Sequence, residues 1–133
     1  MPDLPHLLAA DLQGLAVPPP GTPRPTCCAY VQAPGWDSLP PSFDSAQFRP
    51  VGTLRNPDYD APEVLAEYHP AGTSFWSTEA PIAPRFFPYN QSEVWTCISC
   101  ARPFLRYTEA GGYYVEDRIR ELDPARVVDA PLP

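Results

Sequence analysis

The cysteines are the residues of this chain best suited to chemistry. Cys27 and Cys28 are adjacent, and Cys97 and Cys100 form a C-x-x-C motif in the second half. Thiolates bind zinc, and paired thiols also carry out thiol–disulfide exchange. In a chain that we expect to be cytoplasmic, such spacing favours metal or redox chemistry over a disulfide framework.

A local resemblance supports metal binding by the second pair. The stretch 95–104, which reads WTCISCARPF, is similar to one zinc knuckle of the zinc-ribbon type. The resemblance implies that Cys97 and Cys100 direct their sulfurs at one zinc ion from a tight turn between two strands. One position departs from the pattern, because Ala101 stands where the knuckle commonly has a glycine.

A closed structural zinc site needs four ligands, and the chain holds no second C-x-x-C motif. The remaining candidates are Cys27, Cys28, His69 and His6. Because adjacent side chains on a strand point to opposite faces, at most one cysteine of the pair should reach the ion easily. The predicted ligands are Cys97, Cys100, one of Cys27 or Cys28, and His69.

Two alternatives to zinc stay open. In one, the four thiols are small apolar core residues without a metal. In the other, Cys97 and Cys100 form a reactive dithiol. Thioredoxin-type motifs lie at a helix N-terminus that lowers the thiol pKa, whereas this motif lies between two predicted strands, which disfavours the redox alternative.

The composition limits the kinds of fold that can position these residues. The chain has 133 residues, of which 21 are proline. Because proline removes a backbone donor and fixes φ, long helices and wide regular sheets are excluded. A chain that is 44% hydrophobic and 12% aromatic should nevertheless fold. We predict a small single α+β domain with an antiparallel meander, two or three short helices and much irregular proline-rich chain, with zinc as a candidate stabiliser.

The pattern along the chain divides it into three parts. Leucines at helical spacing predict an amphipathic helix over 4–14, within an N-terminal segment 1–17. Residues 18–25 form a proline-rich connection. The remainder, 26–133, is predicted to be the globular domain.

Within this domain we predict short strands and one further helix. Strands are expected over 26–32 and 48–54 and at Phe75-Trp76. A capping box at Asp60 and Glu63 predicts a short helix that ends before Pro70.

The C-terminal half should carry the meander. Its predicted strands are 93–97, 103–108 and 113–115, with a turn at Gly111-Gly112. Residues 116–122 are either a helical turn or a continued strand.

The charge of the chain predicts the kind of partner. The formal net charge is −7 and lysine is absent, which disfavours nucleic acid and anionic membranes as partners. The first residues show no signal peptide, and no apolar run is long enough to span a membrane, so a cytoplasmic protein is expected. Heavy use of Ala, Pro, Gly and Arg without Lys resembles GC-rich coding and suggests a bacterial source.

An acidic segment is the predicted partner-binding site. Asp58, Asp60, Glu63 and Glu67 lie in an interval that has no arginine. The predicted function is a non-enzymatic protein-binding module, of the inhibitor or immunity type, that docks on a basic partner such as a toxin. One alternative is a zinc-ribbon-like accessory factor whose knuckle and arginine–tyrosine hairpin contact nucleic acid or a larger complex. Another is a thiol–disulfide oxidoreductase that uses the C-x-x-C motif.

Overall fold

The fold is built on one five-stranded antiparallel sheet. The computed structural model describes residues 4–17, 26–28, 31–58 and 60–132. The strand order is β1-β5-β4-β3-β2. The elements are α1 (Ala9–Gln13), β1 (Asp37–Ser38), β2 (Phe48–Thr53), β3 (Glu93–Cys97), β4 (Pro103–Ala110) and β5 (Val115–Glu121), with 3₁₀ turns at Ser45–Gln47, Tyr89–Gln91 and Pro124–Arg126.

The meander of β3, β4 and β5 is the centre of the sheet and confirms the predicted antiparallel arrangement. Trp95 pairs with Phe104, and Leu105 pairs with Arg120. The turn between β4 and β5 is closed by the amide of Gly111, which donates to the carbonyl of Tyr114 at 2.8 Å. The third strand begins at Val115 and continues to Glu121, so the predicted strand 113–115 was placed too early and the continued strand is the correct alternative for 116–122.

The outer edge of β2 is covered by the N-terminal segment. The Leu7 amide donates to the Thr53 carbonyl, and the Thr53 amide donates to the Pro5 carbonyl, both at 2.9 Å. β2 carries an irregularity between Pro50 and Gly52. Gly52 gives Leu7 the room to pack, because a Cβ there would lie 2.3 Å from the Leu7 Cδ1 atom.

The described residues hold a single short α-helix, so the prediction of two or three helices was wrong. The predicted N-terminal helix is confined to Ala9–Gln13, although it ends at Gly14 as expected. The predicted helix after Asp60 does not form. Here the side chains of Asn56 and Asp58 accept hydrogen bonds from the backbone amides two residues later, a local pattern that competes with a helix.

Two predicted strands, 26–32 and Phe75-Trp76, are also absent from the residues that the structure describes, which leave out positions 29 and 30. Residues 26–28 form a turn rather than a strand, in which the Cys28 carbonyl accepts a hydrogen bond from the Val31 amide at 3.1 Å. Phe75 and Trp76 likewise lie in a turn. The proline-rich connection at 18–25 lies outside the described residues.

Apolar side chains pack on both faces of the sheet because neighbouring residues of a strand alternate between them. One face carries the larger cluster, which includes Leu12, Trp36, Leu54, Ile82, Val94, Leu105 and Tyr107. The other face carries the smaller cluster, which includes Cys28, Val31, Phe48, Cys97, Phe104 and Ile119. Cys28 and Cys97 therefore lie in the core layer on this second face, together with Phe48 and Phe104.

Arg118 and Arg120 of β5 both lie in the interior, on the face of the larger cluster. Arg120 is fully buried, and one of its Nη atoms donates to the Tyr89 hydroxyl. Its other Nη atom donates to the Ala80 carbonyl at 2.7 Å and to the Thr78 carbonyl at 3.3 Å. The Arg120 side chain thus connects residues 78–80 to β5 by hydrogen bonds.

Within the described residues, no helix has the length and apolar content needed to cross a membrane.

Candidate metal centre

The C-x-x-C motif forms the tight turn that joins β3 to β4. Cys97 ends β3, and its carbonyl accepts a hydrogen bond from the Ala101 amide at 2.8 Å. The Cys97 amide donates to the Arg102 carbonyl at 3.0 Å. Ala101 adopts φ 63°, in the left-handed region that favours glycine. The turn therefore forms with an alanine in the backbone conformation that a glycine would adopt more easily.

We expect Ala101→Val to lower the free energy of unfolding by about 1–2 kcal/mol, because a β-branched side chain is strained at positive φ. Ala101→Gly is the matched control, since it removes the strain at some cost in unfolded-state entropy, and it should change stability by less than about 1 kcal/mol. Urea denaturation of the three proteins measures both effects. Equal stability of the valine variant would contradict the strained turn.

Both members of the adjacent pair reach the C-x-x-C motif, contrary to the prediction that only one would. The Cys28 Sγ atom lies 3.5 Å from the Cys100 Sγ atom. The Cys27 Sγ atom lies 3.7 Å from that of Cys97. The rule of alternate strand faces does not apply, because Cys27 and Cys28 lie in a turn.

The four sulfurs form a cluster that could hold one metal ion. The Sγ atoms of all four cysteines lie within 4.8 Å of one another, and none is in a disulfide. Tetrahedral zinc with Zn–S bonds of about 2.3 Å places its sulfurs about 3.8 Å apart. The separations of 3.5 Å between Cys28 and Cys100 and of 3.7 Å between Cys27 and Cys97 are close to that value.

The pKa values of three thiols in the cluster are shifted in different directions. Burial raises the pKa of the Cys97 thiol, but hydrogen bonds from the Gln47 side chain and from the backbone of Ser99 and Cys100 outweigh burial and bring the pKa to about 6. Burial, with the neighbouring Cys100, raises the pKa of Cys28 to about 12. Burial, with the neighbouring Cys97 and Cys100, raises the pKa of Cys27. A divalent cation would favour the thiolate form of all of them.

Gln47, the last residue of the 3₁₀ turn that precedes β2, contacts the C-x-x-C turn through its side chain and its backbone. Its Nε2 atom donates to the Cys97 Sγ atom at 3.2 Å and to the Ser99 Oγ atom at 3.0 Å. Its carbonyl accepts a hydrogen bond from the Ile98 amide at 2.9 Å. Sequence reasoning missed Gln47. Its place beside Cys97 follows from the register that pairs Phe48 with Cys97, and that register is seen only in the folded sheet.

The histidines lie elsewhere, which corrects the predicted ligand set. The two ring nitrogens of His69 contact the Thr73 hydroxyl at 2.7 Å and the Glu67 carboxylate at 2.8 Å. His6 lies beside Thr53 at the edge of β2. In the part of the chain that the structure describes, the metal-competent group consists of cysteines alone.

The four predicted partner-binding carboxylates are all exposed. Asp58, Asp60, Glu63 and Glu67 lie along the irregular segment that replaces the predicted helix. Glu67 contacts His69, and Glu63 accepts a hydrogen bond from Gln91 at 3.3 Å.

The tyrosines and arginines of the β4–β5 hairpin differ in their exposure and packing. Tyr107 is buried in the larger cluster, whereas Tyr113 and Tyr114 are exposed at the tip. The guanidinium of Arg106 lies between the rings of Phe43 and Trp95, at 4.8 and 4.5 Å from their centroids. Arg106 is therefore committed to packing.

Clusters of four cysteines occur in unrelated folds, so the ligands alone do not identify a protein. Comparison of this chain with protein-family models, with curated proteins and with solved structures finds no match.

Proposed function

We propose that the four cysteines hold a structural zinc ion that stabilises a non-enzymatic protein-binding module. The observation that carries the zinc proposal is the convergence of all four sulfurs within 4.8 Å. A structural zinc site is closed by four protein ligands, whereas a catalytic site keeps one position for water or substrate. Cys28 and Cys97 are buried, which suits a structural role.

The redox alternative has less support. A thioredoxin-type dithiol needs one exposed, activated thiol beside its partner at the start of a helix. Here the pKa of the Cys97 thiol is lowered, but Cys97 ends a strand and is buried, and its sulfur lies beside a cysteine from another part of the chain.

The binding role rests on the acidic segment. Its four carboxylates are exposed, and no arginine occurs in the sequence between Arg55 and Arg85 to neutralise them. Together with the net charge of −7, this segment would attract a cationic surface and speed association. We infer a basic protein partner, as an inhibitor or immunity-type protein would have.

The zinc proposal is tested by metal analysis of the purified protein. We expect one zinc ion per chain by elemental mass spectrometry, and release of that zinc when an organomercurial reagent titrates the four thiols. Protein that is metal-free after preparation with added zinc, with four freely reactive thiols, would contradict the proposal.

The binding proposal is tested by affinity capture with the immobilised protein. We expect the captured proteins to be basic and to be lost when the acidic segment is neutralised in the variant D58N/D60N/E63Q/E67Q. These side chains are exposed, so the variant should retain the wild-type fold. Capture that is unchanged by the four substitutions would exclude the acidic segment as the docking site.

A further inference from the structure

Trp76 is exposed but held in a fixed position. The side chain is 56% exposed, although a large aromatic side chain is usually well buried. Its ring meets Phe75 edge-on at 4.6 Å, and the Arg118 guanidinium lies 4.9 Å from its centroid. The turn that carries it is closed by hydrogen bonds between Ser74 and Ser77 at 3.0 and 3.1 Å. An exposed tryptophan with this support is pre-organised for contact.

Two carboxylates share the arginine that supports Trp76. The Arg118 guanidinium lies 3.8 Å from a Glu109 carboxylate oxygen and 3.8 Å from a Glu116 carboxylate oxygen. Glu116 also accepts a hydrogen bond from the Ser38 hydroxyl. Two negative charges therefore face one positive charge beside the indole, which leaves the surroundings of Trp76 net negative.

The tip of the β4–β5 hairpin carries further exposed apolar side chains, of which Tyr114 lies on the side of Glu116 and Arg118. Tyr113 is fully exposed, Tyr114 is 52% exposed and Val115 is 74% exposed. Tyr114 lies over Gly111, where a Cβ would be 2.4 Å from the Tyr114 Cε1 atom. Alternation along β5 places Tyr114, Glu116 and Arg118 on the same side of the hairpin.

We propose that Trp76, Tyr114, Glu109 and Glu116 form an acidic aromatic surface that binds an arginine-bearing segment of a protein partner. The inference rests on the proposed binding role and assigns that role a second, aromatic contact area. Tryptophan and tyrosine are the residues most enriched among those that dominate binding energy at interfaces.

The chemistry of this surface favours arginine over other ligands. Arg118 already packs against the Trp76 ring, and a guanidinium from a partner could use the indole in the same way. Carboxylates accept a guanidinium in a bidentate manner, which a lysine ammonium cannot match. The same carboxylates repel phosphate, so a nucleic acid is the less suitable ligand.

A peptide titration tests the inference. Nona-arginine and nona-lysine are titrated into the full chain by isothermal calorimetry, and Tm and circular dichroism confirm that each variant is folded. We expect nona-arginine to bind more tightly than nona-lysine, and Trp76→Ala to weaken nona-arginine by about tenfold. Tyr114→Ala should weaken it by about threefold. Leu132→Ala, which removes an apolar side chain that is 46% exposed, should leave the affinity unchanged.

The other outcomes separate this inference from the proposed function. Equal affinity in the wild type and in Trp76→Ala would overturn the aromatic surface, and loss of affinity in D58N/D60N/E63Q/E67Q alone would leave the acidic segment as the docking site. A wild-type protein that binds neither cationic peptide would overturn both proposals. Saturable binding of single-stranded oligothymidine that is lost in Trp76→Ala would assign the surface to nucleic acid and overturn the protein partner.

Discussion

Cys28→Ser is expected to leave the protein largely unfolded at 37 °C. A structural zinc ion contributes about 10–16 kcal/mol in small zinc domains, which equals or exceeds the total stability of most domains at about 5–15 kcal/mol. The ion would also join two parts of the chain that lie 70 residues apart in sequence. A cross-link over such a distance restricts the unfolded chain by about 4 kcal/mol.

Thermal denaturation followed by circular dichroism measures this effect, with and without a strong zinc chelator. The wild type should lose its cooperative transition when the metal is removed and should regain it when zinc is restored. Ser99→Ala is the matched control, because it removes an exposed hydroxyl of the same turn, with the hydrogen bond that it accepts from Gln47, and leaves all four sulfurs in place. A chelator-treated wild type that melts at the same temperature as the zinc-treated protein would show that the ion contributes nothing to the fold.

Arg120→Ala is expected to lower the free energy of unfolding by about 3–5 kcal/mol. Arg120 is fully buried, so truncation leaves a cavity and also leaves the Ala80 carbonyl and the Tyr89 hydroxyl without their donor. Burial lowers the pKa of Arg120, while the hydrogen bond to Tyr89 opposes that shift. The cost of burying the arginine is therefore offset mainly by these polar contacts.

Two further variants separate the causes of this loss. Arg120→Met fills most of the volume but donates no hydrogen bonds, so it should cost about half as much as alanine. Arg85→Ala removes an exposed arginine that lies 3.2 Å from Asp129, and it should cost less than about 1 kcal/mol. Urea denaturation gives the three values. A loss from Arg120→Ala no larger than that from Arg85→Ala would exclude the buried contacts as a source of stability.

The parts of the fold that the sequence predicts are those set by local patterns. The strand Glu93–Cys97 is found with its predicted bounds, because the β-favouring residues Val94, Trp95 and Thr96 lead directly into the C-x-x-C turn. The Gly111-Gly112 pair correctly predicts the hairpin turn. The local pattern gave a wrong prediction for the acidic segment. The capping box at Asp60 predicts a helix, but side-chain turns at Asn56 and Asp58 form in its place.

The candidate site was predictable in its ligand type but not in its assembly. Four thiols, two of them in a C-x-x-C motif, favour zinc as one of three interpretations of the sequence. The place of Cys27 depends on residues 26–28 forming a turn, which the β-branched and aromatic neighbours in the sequence do not suggest. His69 was chosen to complete the set by type, and its position beside Glu67 and Thr73 depends on the fold of an irregular segment.

The arrangement of residues 5–7 against β2 bears on how this protein behaves at high concentration. An open strand edge is a template for pairing between molecules, and natural sheets protect such edges with prolines, irregularities or covering segments. β2 has all three, since Pro50 and the irregularity before Gly52 lie on the strand that Pro5 and Leu7 cover. At the opposite edge, β1 has only two residues. Deletion of the residues up to Leu8 would therefore expose the outer edge of β2 and make the protein prone to intermolecular strand pairing and aggregation.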